Sequence, residues 1–262
     1  NAAKIPFFAP FTGAEGLRTP NNRLVFNIRA SYFDETEQQV KWLVSKGKKR
    51  IAVFYQDDAY GKAGLTGVEQ AMARRNLKVA AQGTVQRNTV DVAAAVGSIT
   101  QIEPDAVILI SAYKSCAAFI REALKVNSDT LFLNVSFVGS NALAAELGPD
   151  ANGVIISQVV PYPWEPGMPL AVEYRKVLKQ YAPGAKPTFT NMEGYIAAKA
   201  LVEGLKKTGP ALTREKLIAT LEGMPALDLG GVTQSYSPES HNGSRLVQLT
   251  VIVGTGGTFL YM

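Results

Sequence analysis

The chain has 262 residues, of which 47% are hydrophobic and 19% are charged, and its formal net charge is +5. This length suits one large domain or two lobes, and the composition is that of an ordinary globular protein. Basic residues are dispersed, with the densest run at Lys46–Arg50, and none alternates with aromatic residues as a nucleic-acid groove requires, so no nucleic-acid partner is predicted.

The first third of the chain alternates short apolar runs with loops and amphipathic stretches. Strands are predicted at Ile5–Phe8 and Leu24–Ile28, followed by a helix over Glu35–Ser45 that Asp34 caps. Further strands are predicted at Arg50–Tyr55, Leu77–Thr84, Ala106–Ile110, Leu131–Val135 and Gly153–Gln158. The intervening helices are predicted at Gly61–Arg75, Val90–Gln101, Ser115–Val126 and Ser140–Leu147. This alternation predicts a parallel sheet with right-handed crossovers.

The composition changes in the proline-rich segment Val159–Gly167, which excludes a helix and is typical of a crossover between lobes. Three helices are predicted after it, at Leu170–Tyr181, Met192–Thr208 and Thr213–Glu222, with Thr213 as a cap. The tail predicts a β-hairpin of Leu246–Val253 and Thr258–Tyr261 joined by the turn 254–257. One lobe is therefore complete, whereas the other has three late helices and too few strands.

Two tyrosines occupy equivalent places in the predicted sheet. Tyr60 follows the strand that ends at Tyr55, and Tyr113 follows the strand that ends at Ile110. Ligands of open α/β sheets bind outside the carboxyl ends of the strands, so both side chains are predicted to line a ligand cleft.

Groups for catalysis or metal binding are scarce. The sole cysteine, Cys116, falls in an apolar helical pattern that predicts a buried thiol. The sole histidine, His241, lies in a segment that reads as a turn. No Cys/His metal spacing, phosphate-binding loop or nucleophile–base set is found, so the chain is predicted not to be an enzyme and to need no metal or other cofactor.

The order and spacing of several segments resemble type I periplasmic binding proteins, in the branch of branched-chain amino-acid (Leu/Ile/Val) receptors of ABC transporters. The resemblance covers essentially the whole chain. The segments that carry it are Ile5–Gly13, Phe26–Ala30, Gln56–Gly61, Asp105–Val107, Glu193–Ala198 and Leu229–Gly231.

The resemblance implies a two-lobed α/β fold of parallel sheets flanked by helices, with the first lobe lacking its N-terminal strands. Lobe 1 is assigned to residues 1–30 and 160–232. Lobe 2 is assigned to residues 31–159 and 233–262, including the returning C-terminal strands. The family begins with a segment that would precede Ile5, and no signal peptide is seen, so we expect a missing start.

Members of this family hold an amino acid between the lobes. The resemblance implies that Phe11, Thr12 and Gly13 form a carboxylate-binding loop and that Tyr60 and Tyr113 contact the ligand from the other lobe. Phe137 is a candidate for packing on an apolar ligand body or in the core. Glu193, predicted to begin a helix, is either a ligand contact or a partner of the helix dipole.

Ser136 is a further predicted ligand contact, and the pattern departs from the family there, because these receptors often carry a glutamate at this position that binds the ligand's ammonium group. An ammonium group would then depend on aromatic faces and carbonyls, or the ligand would be an aromatic or aliphatic carboxylate without one. The resemblance implies a periplasmic or other extracytoplasmic receptor that delivers its ligand to the membrane permease of an ABC importer. A ligand-sensing domain of a regulatory protein with the same fold is the alternative.

Overall fold

A computed structural model gives the structure of residues 4–254 and 257–262. The chain folds into two compact units, each assembled from segments that are distant in the sequence. The first unit comprises Asn1–Ser31 and Val159–Leu246, and the second comprises Tyr32–Gln158 and Val247–Met262.

The strands and helices alternate through the middle of the chain. The strands are β1 (Phe7–Phe8), β2 (Val25–Phe26), β3 (Ile51–Gln56), β4 (Gln82–Val85), β5 (Ala106–Ile110), β6 (Leu131–Asn134), β7 (Ile155–Gln158), β8 (Leu227–Asp228), β9 (Thr233–Gln234), β10 (Gln248–Val253) and β11 (Thr258–Tyr261). The α-helices are α1 (Tyr32–Ser45), α2 (Ala59–Ala73), α3 (Ala93–Thr100), α4 (Tyr113–Val126), α5 (Ser140–Leu147), α6 (Pro169–Tyr181), α7 (Phe189–Thr208) and α8 (Arg214–Gly223).

The second unit is built on one mixed sheet. Its described strands lie in the order β11-β10-β7-β6-β5-β3-β4. The pairs β3–β4, β3–β5, β5–β6 and β6–β7 are parallel, whereas β10 runs antiparallel to both β7 and β11. Strands β3 and β5 are almost fully buried, as expected for parallel strands covered on both faces.

The turn from β3 into α2 brings Tyr60 to the carboxyl edge of this sheet. Asp58 caps the helix, because its carboxylate accepts hydrogen bonds from the backbone N–H groups of Tyr60 and Gly61. A Cβ atom at Gly61 would lie 1.9 Å from the carbonyl oxygen of Gln56, so only glycine allows the helix to start this close to the strand.

The first unit has a smaller β component. Strand β1 pairs in parallel with β2, and β8 pairs antiparallel with β9. A small core of Phe26, Ile218, Leu221 and Tyr236 holds α8 against β2. Thr213 caps α8 as predicted, accepting a hydrogen bond from the N–H of Lys216.

Residues 233–246 were assigned to the second lobe from the sequence, but they group with the first unit. Backbone hydrogen bonds explain this, because the N–H of Asn27 donates to His241 and the N–H of Gly243 donates back to Asn27, each at 2.8 Å. Residues 31 and 159 also group with the first unit rather than the second.

Several predicted element bounds shift. The strand predicted over Leu77–Thr84 is regular only at Gln82–Val85, and helix α3 is shorter than Val90–Gln101. Helix α1 begins at Tyr32, so Asp34 lies in its first turn and is not its cap. The antiparallel pairing of β10 with β11 confirms the C-terminal hairpin, although residues 255 and 256 of its predicted turn lie outside the described residues.

Candidate functional site

Four of the predicted site residues lie at the carboxyl ends of parallel strands in the second unit. Tyr60 is the second residue of α2, which follows β3, and Tyr113 is the first residue of α4, which follows β5. Ser136 and Phe137 lie in the 3-10 turn that follows β6. All four are half-buried. The connectivity places them at the sheet edge where α/β proteins bind ligands.

Three aromatic rings pack together at this edge and form what we call the second-unit cluster, made of Tyr32, Tyr60 and Phe137. The ring centroid of Tyr60 lies 5.2 Å from that of Tyr32 and 4.8 Å from that of Phe137. The centroids of Tyr32 and Phe137 are 6.5 Å apart. Tilted and edge-on contacts at these distances are the favoured geometry for aromatic pairs. No ring pair among the described residues includes Tyr113.

Glu35, which no pattern in the sequence singles out, is a fully buried carboxylate in the first turn of α1. Its oxygens accept hydrogen bonds from the backbone N–H of Ser136 at 2.7 Å and from the Ser136 hydroxyl at 2.9 Å. The hydroxyl of Ser157 donates to the same carboxylate at 2.5 Å. Glu35 therefore fixes the loop that carries Ser136 and Phe137. Since it lies 101 residues from Ser136 in the chain, no local pattern could have linked them.

In the first unit, Thr12 and Gly13 lie in a loop anchored by a buried arginine. The guanidinium group of Arg18 donates to the carbonyl oxygens of Thr12 at 3.4 Å, Ala14 at 2.9 Å and Arg29 at 3.1 Å. The hydroxyl oxygen of Thr12 accepts a hydrogen bond from the N–H of Ala14 at 3.2 Å. Gly13 is buried, whereas Thr12 is half-buried.

Phe11 and Glu193, both predicted as site residues, meet at Arg29. The Arg29 guanidinium is fully buried and lies 3.2 Å and 3.4 Å from the two carboxylate oxygens of Glu193. Its central carbon lies 5.5 Å from the ring centroid of Phe11, which is a cation–π distance. Helix α7 begins at Phe189, so Glu193 lies in its second turn and does not begin the helix. Its role as a ligand contact stays a prediction.

The proline-rich segment of the first unit contributes a further group of rings. Trp164 lies 5.0 Å from Tyr162 and 5.6 Å from Phe189 between ring centroids. Burial raises the pKa of the Tyr162 hydroxyl, and the charge of Glu165 raises it further. Tyr162 is therefore a neutral hydrogen-bonding group at ordinary pH.

The sole histidine is buried, and the segment predicted as a turn does turn at Pro238 and Glu239, just before it. The His241 ring stacks on Phe26 with centroids 3.9 Å apart. Its Nε2 lies 3.1 Å from the Glu222 carboxylate and its Nδ1 lies 3.2 Å from the carbonyl oxygen of Val25. Cys116 is fully buried as expected, and burial raises the pKa of its thiol. No cluster of potential metal ligands occurs among residues 4–254 and 257–262.

A polar cavity of about 600 Å³ lies away from the predicted site residues, at the amino ends of β3, β5 and β6. Lys48, Arg50 and Asp105 are among the residues that line it. The Asp105 carboxylate accepts hydrogen bonds from the backbone N–H groups of Arg50 and Lys49, which lower its pKa. The Asp105 carboxylate is thus fixed by backbone N–H groups that directly precede β3.

Comparison with known proteins decides the family. A sequence profile described as periplasmic binding protein matches residues 1–257. The chain belongs to the periplasmic binding protein family. This confirms the resemblance and the α/β type I fold predicted from the sequence. Periplasmic binding proteins are extracytoplasmic solute-binding proteins and are not enzymes. A search of curated proteins found no match.

Solved structures of other periplasmic binding proteins are closely similar. A possible leucine/isoleucine/valine-binding protein from Rhodopirellula baltica is 34% identical, with a TM-score of 0.93 over all of this chain and 72% of that one. A substrate-binding periplasmic protein from Ralstonia solanacearum is 30% identical, with a TM-score of 0.90 over all of this chain and 74% of that one.

A more distant structure resembles this chain in fold alone. A branched-chain amino acid ABC transporter protein from Thermus thermophilus, solved with bound valine, has a TM-score of 0.85 at 18% identity over all of this chain and 72% of that one. Within the part of the chain that the structure describes, no helix is both long and apolar enough to cross a bilayer.

Proposed function

We propose that this chain is the extracytoplasmic receptor of an ABC importer and that it binds an amino acid or a related small carboxylate. The observation that carries the proposal is the convergence of Tyr60, Tyr113, Ser136 and Phe137 on the carboxyl edge of the second unit's sheet, in a chain of the periplasmic binding protein family. The relative described as a possible leucine/isoleucine/valine-binding protein supports the ligand class. The membrane partner is a permease.

The proposed ligand contacts divide by chemistry. In the first unit, the loop Phe11–Gly13 offers a hydroxyl group and closely approachable backbone, which suit a carboxylate. In the second unit, Tyr60 and Tyr113 offer aromatic faces and hydroxyl groups, and Phe137 offers apolar surface. Receptor action requires the ligand to bind one conformation more tightly than another, since a ligand shifts a population only by its differential affinity.

Titration calorimetry against amino acids and small carboxylates tests the proposal. Replacing both Tyr60 and Tyr113 by Ala should weaken binding of the best ligand by about 100-fold or more, since each truncation removes about 1.4 kcal/mol or more. Tyr181→Ala is the matched control, because this tyrosine on α6 is 76% exposed, and it should leave affinity within about twofold. Unchanged affinity in the double variant would contradict the proposed site.

A further inference from the structure

The hydrogen bonds made by the buried acidic residues of the protein narrow the chemical class of the carboxylate ligand. This step rests on the proposed function. Position 136 carries a serine where an ammonium-binding receptor often has an acidic residue, but Glu35 brings a carboxylate to the same loop. Both donors of Ser136 point to Glu35, at 2.7 Å and 2.9 Å.

The Glu35 carboxylate is engaged by the protein. A carboxylate offers about four acceptor positions, and Ser136 and Ser157 together take three of them. The Glu35 side chain is also fully buried. Its charge therefore holds the loop in place, and turning it toward a ligand ammonium group would break hydrogen bonds to a buried anion, which are among the stronger kind.

The acidic residue predicted in the first unit is engaged in the same way. Glu193 is 6% exposed and lies against the fully buried guanidinium of Arg29. Withdrawing Glu193 would leave a buried cation without this counter-ion, which is a large cost. Glu35 and Glu193 thus both serve hydrogen-bonding or cationic groups of the protein.

What the second unit presents at the strand ends is aromatic surface. Tyr60 and Phe137 are both half-buried, and they pack at 4.8 Å with their rings tilted by 56°. Tyr32 is buried, and its ring centroid lies 5.2 Å from that of Tyr60 and 6.5 Å from that of Phe137. A further ring can continue this tilted and edge-on packing, whereas a branched aliphatic group gains only from burial of its area.

We propose that the ligand is an aryl carboxylate without an ammonium group, and that its ring packs on Tyr60 and Phe137 of the second-unit cluster. Recognition of the ring comes from aromatic packing. The protein's own groups already engage the carboxylates of Glu35 and Glu193, which are therefore not offered to a ligand ammonium group.

Four ligands separate the two features, namely 3-phenylpropanoate, L-phenylalanine, 4-methylpentanoate and L-leucine. They pair an aryl with an aliphatic body, each with and without the ammonium group. In calorimetry, the affinity for 3-phenylpropanoate should be at least about tenfold higher than the affinities for 4-methylpentanoate and for L-phenylalanine. The inference is overturned if either amino acid binds more tightly than its counterpart without the ammonium group. It is also overturned if 4-methylpentanoate binds more tightly than 3-phenylpropanoate.

Variants test whether the second-unit cluster is the source of the preference. Phe137→Leu should lower the ratio of aryl to aliphatic affinity by about fivefold. Phe119→Leu is the control, since Phe119 on α4 is fully buried against Phe54, with ring centroids 4.4 Å apart, and should leave that ratio unchanged even if stability falls. An unchanged ratio in Phe137→Leu overturns the inference.

The outcome also distinguishes this inference from the proposed function. Tight binding of L-leucine that depends on Tyr60 and Tyr113 keeps the receptor function and rejects the aryl carboxylate. Circular dichroism checks that the protein is folded. If the folded protein binds none of the four ligands and no amino acid, both the inference and the proposed function are overturned.

Discussion

Glu35 offers a direct test of the buried network that holds the Ser136 loop. Replacing it by Ala removes three hydrogen bonds to a charged acceptor, each worth about 1.5–3 kcal/mol, and leaves the Ser136 N–H without this acceptor. Release of the buried charge offsets part of this loss. We therefore expect Glu35→Ala to lower the free energy of unfolding of the second unit by about 3–5 kcal/mol.

Glu35→Gln should cost much less, about 1–2 kcal/mol. The amide oxygen can still accept from the Ser136 N–H and the Ser157 hydroxyl, while its NH₂ group can donate to the Ser136 hydroxyl oxygen. Glu35→Ala should therefore cost more stability than Glu35→Gln, although both variants remove the charge, because only Gln keeps hydrogen-bonding groups and a side chain of nearly the same size.

Urea unfolding followed by tryptophan fluorescence gives the measurement. The chain has two tryptophans, Trp42 and Trp164, so a Trp164→Phe background leaves Trp42, which packs against the core of the second unit, as the reporter. Glu37→Ala is the control on the same helix. Its ion pairs with Arg74 and Arg75 are partly exposed, so its cost should stay near 1 kcal/mol. A cost for Glu35→Ala no greater than for Glu37→Ala would refute the reasoning.

Three further predictions concern stability and reactivity. Hydrogen bonds from Arg23 and from His241 lower the pKa of the Glu222 carboxyl. The stability that Glu222 contributes is therefore complete above its unfolded pKa of about 4.3 and is lost as the pH falls through the folded value. The melting temperature of the wild-type protein should exceed that of Glu222→Gln by less as the pH falls, and a constant difference would contradict this. Gly61→Ala should lower the free energy of unfolding by more than about 3 kcal/mol, because the new Cβ would lie 1.9 Å from a backbone oxygen. The control Gly97→Ala in α3 has open space around it, so it should be neutral or should stabilise the protein by up to about 1 kcal/mol. Similar unfolding free energies for the two variants would be inconsistent with close packing at Gly61. Cys116 should resist iodoacetamide in the native protein and react in urea, since burial raises its pKa; mass spectrometry showing rapid native labelling would disprove its burial.

Some of the site residues could be predicted from the sequence and others could not. Tyr60 and Tyr113 follow apolar runs that end in turns, and this local pattern already predicts the carboxyl edge of a parallel sheet. Glu35 carries no such signal, because an acidic residue early in a helix usually serves the helix dipole. Its hydrogen bonds to Ser136 and Ser157 arise from contacts more than 100 residues apart in the chain.

His241 and residues 233–246 show the same limit in the first unit. The segment around His241 is rich in turn-forming residues, which predict a turn and do not indicate where the imidazole lies. The stacking of its ring on Phe26 and its contacts with Glu222 and Val25 bury it. Hydrogen-bonded partners more than 200 residues away then place this segment in the first unit.

Hydrophobic periodicity and the punctuation by glycine and proline determined the βα alternation, the three late helices and the C-terminal hairpin, because these features depend on residues close in the chain. Tertiary structure alone decided the strand order, the pairing of β10 with β7, and the partners of Glu35, Arg29 and His241. The physical reason is that a buried polar group must find its partner in space, and its position along the chain does not reveal which partner that is.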